Sequence, residues 1–325
     1  IEQAGFLAAL TTARLLDRFD QLFAQNSELR GIVIAGFIIV AVGLWDDVRG
    51  SPAPARVTAI TIAALVLVQF GATMYYFRIP FVDNLLPLAN DWIPLITVLW
   101  LLGMTQAINL IDGLDGLAAG IVAIAAFAFF LYSQQLARDE LLRTPNLGPL
   151  LAIVAVGVCV GFLPHNFNPA RIMMGDTGAM LLGLMMAVST SVVGGRADPQ
   201  QAGYGQTYFF LAPLAIPLLI LGVPILDMAF AIVRRASKRQ ALDVADKGHL
   251  HHRLLDLGHG HRRAVLILWS WTALLSGFVL YPVLTGDTPW FLPFGMAAIA
   301  IVLYTVLHPS VREQRRQSDA ARDDA

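Results

Sequence analysis

Residues 109–116 read Asn-Leu-Ile-Asp-Gly-Leu-Asp-Gly, and two uncharged stretches, Trp92 to Ile111 and Gly116 to Ala137, flank the carboxylates Asp112 and Asp115. Each stretch is about 20 residues long, enough to cross a bilayer as a helix. Carboxylates at the end of a membrane span are costly, so they face a partner ion, a proton path or a polar cavity. The expectation is an all-α fold: a polytopic integral membrane helical bundle with a polar, cation-using site.

Composition supports that class. Hydrophobic residues make up 57% of the 325-residue chain and charged residues 14%, with a mean hydropathy of +0.65, against about 25% charged in soluble domains. The net charge of −1 comes with no basic patch interleaved with aromatics, so no nucleic-acid partner is expected. The single cysteine, Cys159, excludes an intramolecular disulfide and reads as core packing.

Apolar segments predict nine helices, near 31–45, 57–77, 92–108, 117–136, 148–163, 178–194, 209–233, 264–283 and 288–307. The loop after the seventh carries Arg234, Arg235, Lys238, Arg239, Lys247, Arg253, Arg262 and Arg263, and the tail carries Arg312, Arg315, Arg316 and Arg322. The positive-inside rule makes both cytoplasmic. Counting back through alternating spans puts the Asp46 loop, residues 109–116, residues 164–177 and the His-rich loop on the same face. Arg14, Arg18 and Arg30 depart from the rule, and the chain starts with Ile, so spans preceding this sequence are expected. Residues 1–311 read as a single membrane domain, and 312–325 as a disordered cytoplasmic tail.

Four polar clusters lie at the span ends. Asp46 and Asp47 end an apolar helix, as a solvated helix end or as a base and cation ligand at the mouth of a site. Asp112 and Asp115, three residues apart, share a helical face; each is followed by glycine, a pattern that also makes ordinary turns, and Asn109 adds an amide. Asp176 lies between glycines in a run that begins at Asn166 and includes Arg171; it could cap the next helix or face a phosphate at that helix's N-terminus. In Asp246-Lys-Gly-His-Leu-His-His-Arg253, His249 and His252 share a face and Arg253 offers a planar fork for phosphate oxygens. Their spacing is not that of a helix-borne zinc motif. His259 and His261 read as ordinary loop residues.

Carboxylates suit a hard cation such as Mg²⁺, which keeps several waters and bridges substrate phosphates. Histidines and arginines opposite them suit the phosphates. Together with a membrane face they point to phosphoryl transfer onto a lipid, which needs positioning and charge neutralisation more than a covalent catalyst.

The four clusters, in this order and spacing, resemble the polyprenyl-phosphate N-acetylhexosamine-1-phosphate transferases, glycosyltransferase family 4. The residues that carry the likeness are Asp46-Asp47, Asn109 to Leu117, Asn166 to Gly178 with its Met-Gly-Asp-Thr-Gly core, and His249 to Arg253, spanning about residues 31 to 310. The resemblance implies that undecaprenyl or decaprenyl phosphate attacks the β-phosphorus of a UDP-sugar, releasing UMP, at the cytoplasmic face of the bacterial inner membrane. It implies Mg²⁺, with Mn²⁺ as a substitute, on Asp115 and Asp176. It also implies Asp46 as base or lipid-phosphate activator with Asp47 beside it, and Asp112 near the nucleotide. Asn109, Asn166, Arg171, His249, His251, His252 and Arg253 are expected to contact substrate. The His-Leu-His-His-Arg stretch looks like the branch that uses UDP-N-acetylglucosamine (UDP-GlcNAc) to start teichoic acid, arabinogalactan or lipopolysaccharide assembly. Other UDP-N-acetylhexosamines and the phospho-muramoyl-pentapeptide are the neighbouring alternatives. Besides these substrates and the bilayer, a second copy of the chain is a candidate partner. A cation-coupled transporter is the competing class, but it would place acids near the midplane and show paired half-repeats.

Overall fold

The computed structural model describes residues 27–73, 91–140, 146–194, 222–237, 250–285 and 291–308, with short pieces at 5–6, 8–9, 11–12, 76–77, 86–87 and 142. The helices are α1 (Ser27–Arg49), α2 (Ala53–Gln69), α3 (Trp92–Ile111), α4 (Leu117–Arg138), α5 (Gly148–Asn166), α6 (Gly175–Gly194), α7 (Gly222–Ser237), α8 (Leu250–Asp256), α9 (His261–Thr285) and α10 (Phe291–Leu307). Six of them, α1, α3, α4, α5, α6 and α9, are long and apolar enough to cross a membrane. They make this a multi-pass membrane protein. The other three predicted spans correspond to α2, α7 and α10, each of 16 or 17 residues. Residues 209–221 of the seventh span and the tail at 312–325 lie outside the described residues.

Predicted boundaries move where local chemistry stops a helix. The second span was expected to run to residue 77, but α2 ends at Gln69. Gly71 adopts a left-handed φ of +84°, and the N–H of Ala72 turns back onto the carbonyl of Leu67 (2.9 Å). This is how a glycine closes a helix C-terminus. Tyr76–Phe77 instead pairs antiparallel with Leu86–Pro87, Tyr76 opposite Pro87 and Phe77 opposite Leu86. Among the described residues, this two-residue pair and an isolated bridge at Leu142 are the departures from a helical fold.

The bundle is organised around α6. Of its most apolar stretch, 94% is buried, against 33% for α1 and α3, so α6 faces protein on all sides while the others keep a lipid-facing side. It packs against α1, α3 and α5, and α4 in turn packs against α5 and α9. Small residues let these backbones approach. A Cβ on Gly183 would stand 2.5 Å from the Cα of Thr105 in α3, and one on Gly43 of α1 would stand 2.5 Å from the Cα of Thr177. Lipid gives helices no hydrophobic reason to associate, so close van der Waals contact and interhelical hydrogen bonds hold them. Trp100 Nε1 donates to Thr190 Oγ1 (3.0 Å), Ser189 Oγ to the Gly148 carbonyl (2.7 Å) and Asn146 Nδ2 to the Val192 carbonyl (2.9 Å).

Gly183→Ala should therefore destabilise the protein by about 1–3 kcal/mol through overpacking, outweighing the better helix propensity of alanine. Gly103→Ala, where no atom lies within 4 Å of the added Cβ, should leave stability unchanged or raise it. Thermal unfolding of the two variants in detergent checks the contrast.

Candidate active site

The polar site is built where α1 hands over to α2. Helix α1 ends at Arg49, Gly50 takes a left-handed φ of +68°, and α2 starts after Pro52, a residue suited to a first turn. The tight connection folds Ser51 back onto α1, where its N–H (2.6 Å) and its hydroxyl both donate to Asp46 Oδ1. One turn into α2, Arg56 turns the same way. Its Nη1 bonds Asp46 Oδ2 at 3.1 Å and, from the other side, Asp176 Oδ2 at 3.0 Å.

Asp47 points at the N-terminus of α6. Its Oδ1 accepts the N–H of Asp176 (2.8 Å), and its Oδ2 accepts both the N–H (3.2 Å) and the hydroxyl (2.5 Å) of Thr177. The first N–H groups of a helix have no partner within it, and the helix dipole favours negative charge there. A carboxylate from another helix fills that role, so the cap is Asp47 and not Asp176, for which a capping role was one expectation. Gly175 is required at the junction: its φ is +67°, and a Cβ would lie 2.9 Å from both Asp47 oxygens.

The α3–α4 turn meets the segment after α5 in a second set of contacts. Asp115 Oδ2 accepts Asn168 Nδ2 (2.9 Å) and the N–H of Ala170 (3.1 Å). Asn166, 3% exposed, accepts the N–H of Gly116 on Oδ1 (3.0 Å) and donates from Nδ2 to the Ile172 carbonyl (2.9 Å). Both ends of this amide, expected to contact substrate, are thus spent inside the protein. Arg262 at the start of α9 donates from Nε to the Asn168 carbonyl (2.9 Å). Trp269 donates to the Leu117 carbonyl (3.3 Å) and tilts over Phe167, with ring centroids 5.8 Å apart.

Asp112, just beyond the end of α3, joins the two sets. Burial pushes its carboxyl up to about 7, and the charges of Asp176, Asp115 and Asp47 push in the same direction. Asn109 sits half-buried in the last turn of α3; Arg171 and Arg253 are exposed, the latter on α8, which packs against α9. His249 and the side chains of His251 and His252 lie outside the described residues.

Asp46, Asp47, Asp112, Asp115 and Asp176 thus converge at one end of the bundle. Among the described residues, the guanidinium of Arg56 is the cation in direct contact with any of them. Five carboxylates against one guanidinium form a site of hard oxygens short of positive charge, which suits a divalent cation. In Asp115 and Asp176 only Oδ2 takes part in the bonds above. The described residues hold no group of three His, Cys, Asp or Glu side chains placed to hold a metal ion.

Sequence reading missed Arg56, Ser51, Thr177 and Arg262. Arg56 had a legible signal, because it is the single charged residue in the apolar run from Ala53 to Gln69. The argument applied to acids at span ends applies equally to it. Thr177 and Arg262 have partners 130 and 94 residues away in the chain, whereas Ser51 bonds Asp46 five residues back through a turn that its residue type does not announce.

The sequence model of the family described as "Glycosyl transferase family 4" matches residues 29–194. The decaprenyl-phosphate N-acetylglucosaminephosphotransferase of Mycobacterium leprae is 37% identical over 276 residues, 84% of this chain and 69% of that protein. The protein of the same name from Mycolicibacterium smegmatis is 33% identical over 308 residues, 93% and 75% of the two chains. A Bacillus subtilis protein named probable undecaprenyl-phosphate N-acetylglucosaminyl 1-phosphate transferase is 36% identical over 254 residues, 78% and 64%.

The raised carboxyl of Asp112 makes stability depend on pH. Its folded-state pKa of about 7 stands above the ordinary 3.8, so between these values the folded chain binds more protons than the unfolded chain. Stability contributed by this group is fully present below about 4 and falls as pH rises towards 7. Thermal unfolding in detergent with a chelator should show a decline between about pH 5 and pH 7, and Asp112→Asn should flatten it. Asp47→Ala should separately lower stability by about 0.5–2 kcal/mol through loss of the α6 cap.

Proposed function

Because this chain belongs to glycosyl transferase family 4, we propose that it transfers N-acetylglucosamine 1-phosphate from UDP-GlcNAc to a polyprenyl phosphate. An oxygen of the lipid phosphate forms a bond to the β-phosphorus, the bond from that phosphorus to the bridging oxygen breaks, and UMP leaves. The products are polyprenyl-diphospho-GlcNAc and UMP. The observation that carries the reading is the meeting of Asp46, Asp47, Asp112, Asp115 and Asp176 at one end of an apolar bundle, with Arg56 between two of them. A membrane-embedded acceptor and a highly charged, water-soluble donor can meet only at such a boundary. The basic loop and tail support a cytoplasmic side for that boundary, in the bacterial inner membrane of the proposed reading.

Asp115 and Asp176 are the proposed ligands of a Mg²⁺ ion, which Mn²⁺ can replace. When bound, such an ion neutralises charge on the donor's diphosphate. Asp47 stiffens the site by holding the first turn of α6, and with it the backbone of Asp176. Asp46 has both oxygens engaged, Oδ1 by Ser51 and Oδ2 by Arg56, so it positions its partners rather than taking a proton. Asp112, titrating near 7, is suited to exchange a proton at neutral pH. The acceptor asks little of a base: a phosphate monoester has a second pKa of about 6 and is already largely ionised. Asn168 and Arg262 keep the 166–171 segment beside Asp115.

An alternating-access transporter is disfavoured by the same geometry, since the acids cluster at helix ends rather than at mid-span. Membranes carrying the full chain, given sugar-labelled UDP-GlcNAc, polyprenyl phosphate and Mg²⁺, should form a labelled lipid and one UMP per transfer. No labelled lipid with any UDP-N-acetylhexosamine would refute the reading. Asp176→Asn should lower turnover on the order of 10²-fold or more, as loss of an electrostatic catalytic contact does; near-normal turnover would remove Asp176 from the site.

A further inference from the structure

Arg56 reaches Asp46 and Asp176 with one and the same nitrogen. Nη1 lies 3.1 Å from Asp46 Oδ2 and 3.0 Å from Asp176 Oδ2, so it stands between two carboxylates of different helices as a bridging metal ion would. Its root is fixed by the short 50–52 connection that also delivers Ser51 to Asp46. The far end is less confined. The side chains of Arg56 and Asp176 are 27% and 30% exposed, whereas that of Asp46 is 10% exposed. Both bonds are partly buried, and the Asp176 side chain is the more exposed of the two acids.

A divalent cation sits about 2.0–2.1 Å from a carboxylate oxygen. An ion on Asp176 Oδ1, the oxygen left open, and a guanidinium nitrogen on Oδ2 of the same carboxylate would bring two positive centres within roughly 5 Å of each other, where like charges repel. We propose that Arg56 is a built-in counter-ion that competes with the divalent cation for Asp176. It swings off that carboxylate while staying on Asp46 when the ion binds, and so sets the affinity of the site for the ion. This inference rests on the proposed metal role of Asp176. Arg56 acts here as a positioning residue: it holds Asp46 and Asp176 together, and it makes occupancy by the ion conditional.

The test is direct binding of Mn²⁺ to the full chain in detergent without nucleotide or lipid, read by electron paramagnetic resonance of the free ion. Arg56→Gln should bind Mn²⁺ roughly 5-fold tighter or more, the size of an ordinary coupling between two ligands, and Arg56→Lys should stay near wild type because it keeps the charge. In the wild-type chain, modification of Arg56 by phenylglyoxal, followed by peptide mass, should speed up when Mn²⁺ is added, since coupling is reciprocal. That second measurement stands even if Arg56→Gln does not fold. Unchanged or weaker affinity in Arg56→Gln, or unchanged phenylglyoxal reactivity, with binding lost in Asp176→Asn, overturns the exchange alone. Mn²⁺ binding undiminished in Asp176→Asn overturns the metal assignment and the exchange with it.

Discussion

The carboxylate of Asp47 on the N-terminus of α6 is the contact from which the rest of the site follows. Helix α6 is the buried centre of the bundle, and its first N–H groups, at a partly exposed end, have no acceptor within the helix. They find them on the last turn of α1, 130 residues earlier in sequence. Once that bond is made, Gly43 lies against Thr177, Gly175 must remain without a side chain, and the next acid on each helix is carried along. Asp46 and Asp176 end up facing each other because their neighbours are tied together.

Two like charges brought together in this way need compensation, and Arg56 supplies it from the first turn of α2. A guanidinium is always charged and weakly hydrated for a cation, so it suits such a half-sheltered position. The supply is still short. Asp112 feels three other carboxylates and is buried as well. The surplus of negative oxygen is what supports the proposed metal role of the site. The α3–α4 turn is braced differently, by neutral amides: Asn166 and Asn168 hold Gly116 and Asp115 without adding charge.

Much of this was legible before any coordinates. The uncharged runs on either side of Asp112 and Asp115 gave the class of fold, and the placement of every acid of the site came from its position at the end of such a run. Helix ends were less legible. The stop at Gln69 depends on Gly71 adopting a left-handed conformation, which a run of apolar residues does not announce. Roles were less legible still. Asn166 looked like a substrate contact, yet its amide braces the fold; Asp47 looked like a second copy of Asp46, yet its oxygens cap a helix. Arg56 was overlooked because a single arginine in an apolar helix was not asked for its partner.

Composition and periodicity determined that this chain forms apolar helices and that the acids of the site sit at their ends, where the cost of charge in hydrocarbon is lower; Asp227, buried within α7, is an exception. Which acid does what was decided by the tertiary structure. Adjacent Asp46 and Asp47 have the same local sequence context but point to different neighbours, one to Arg56 and Ser51, the other to the N–H groups of Asp176 and Thr177. Those neighbours come from helices distant in the chain and are brought there by the packing of small residues on α1, α3 and α6. The charge of a residue is written in the sequence; its partner exists only when the helices are packed.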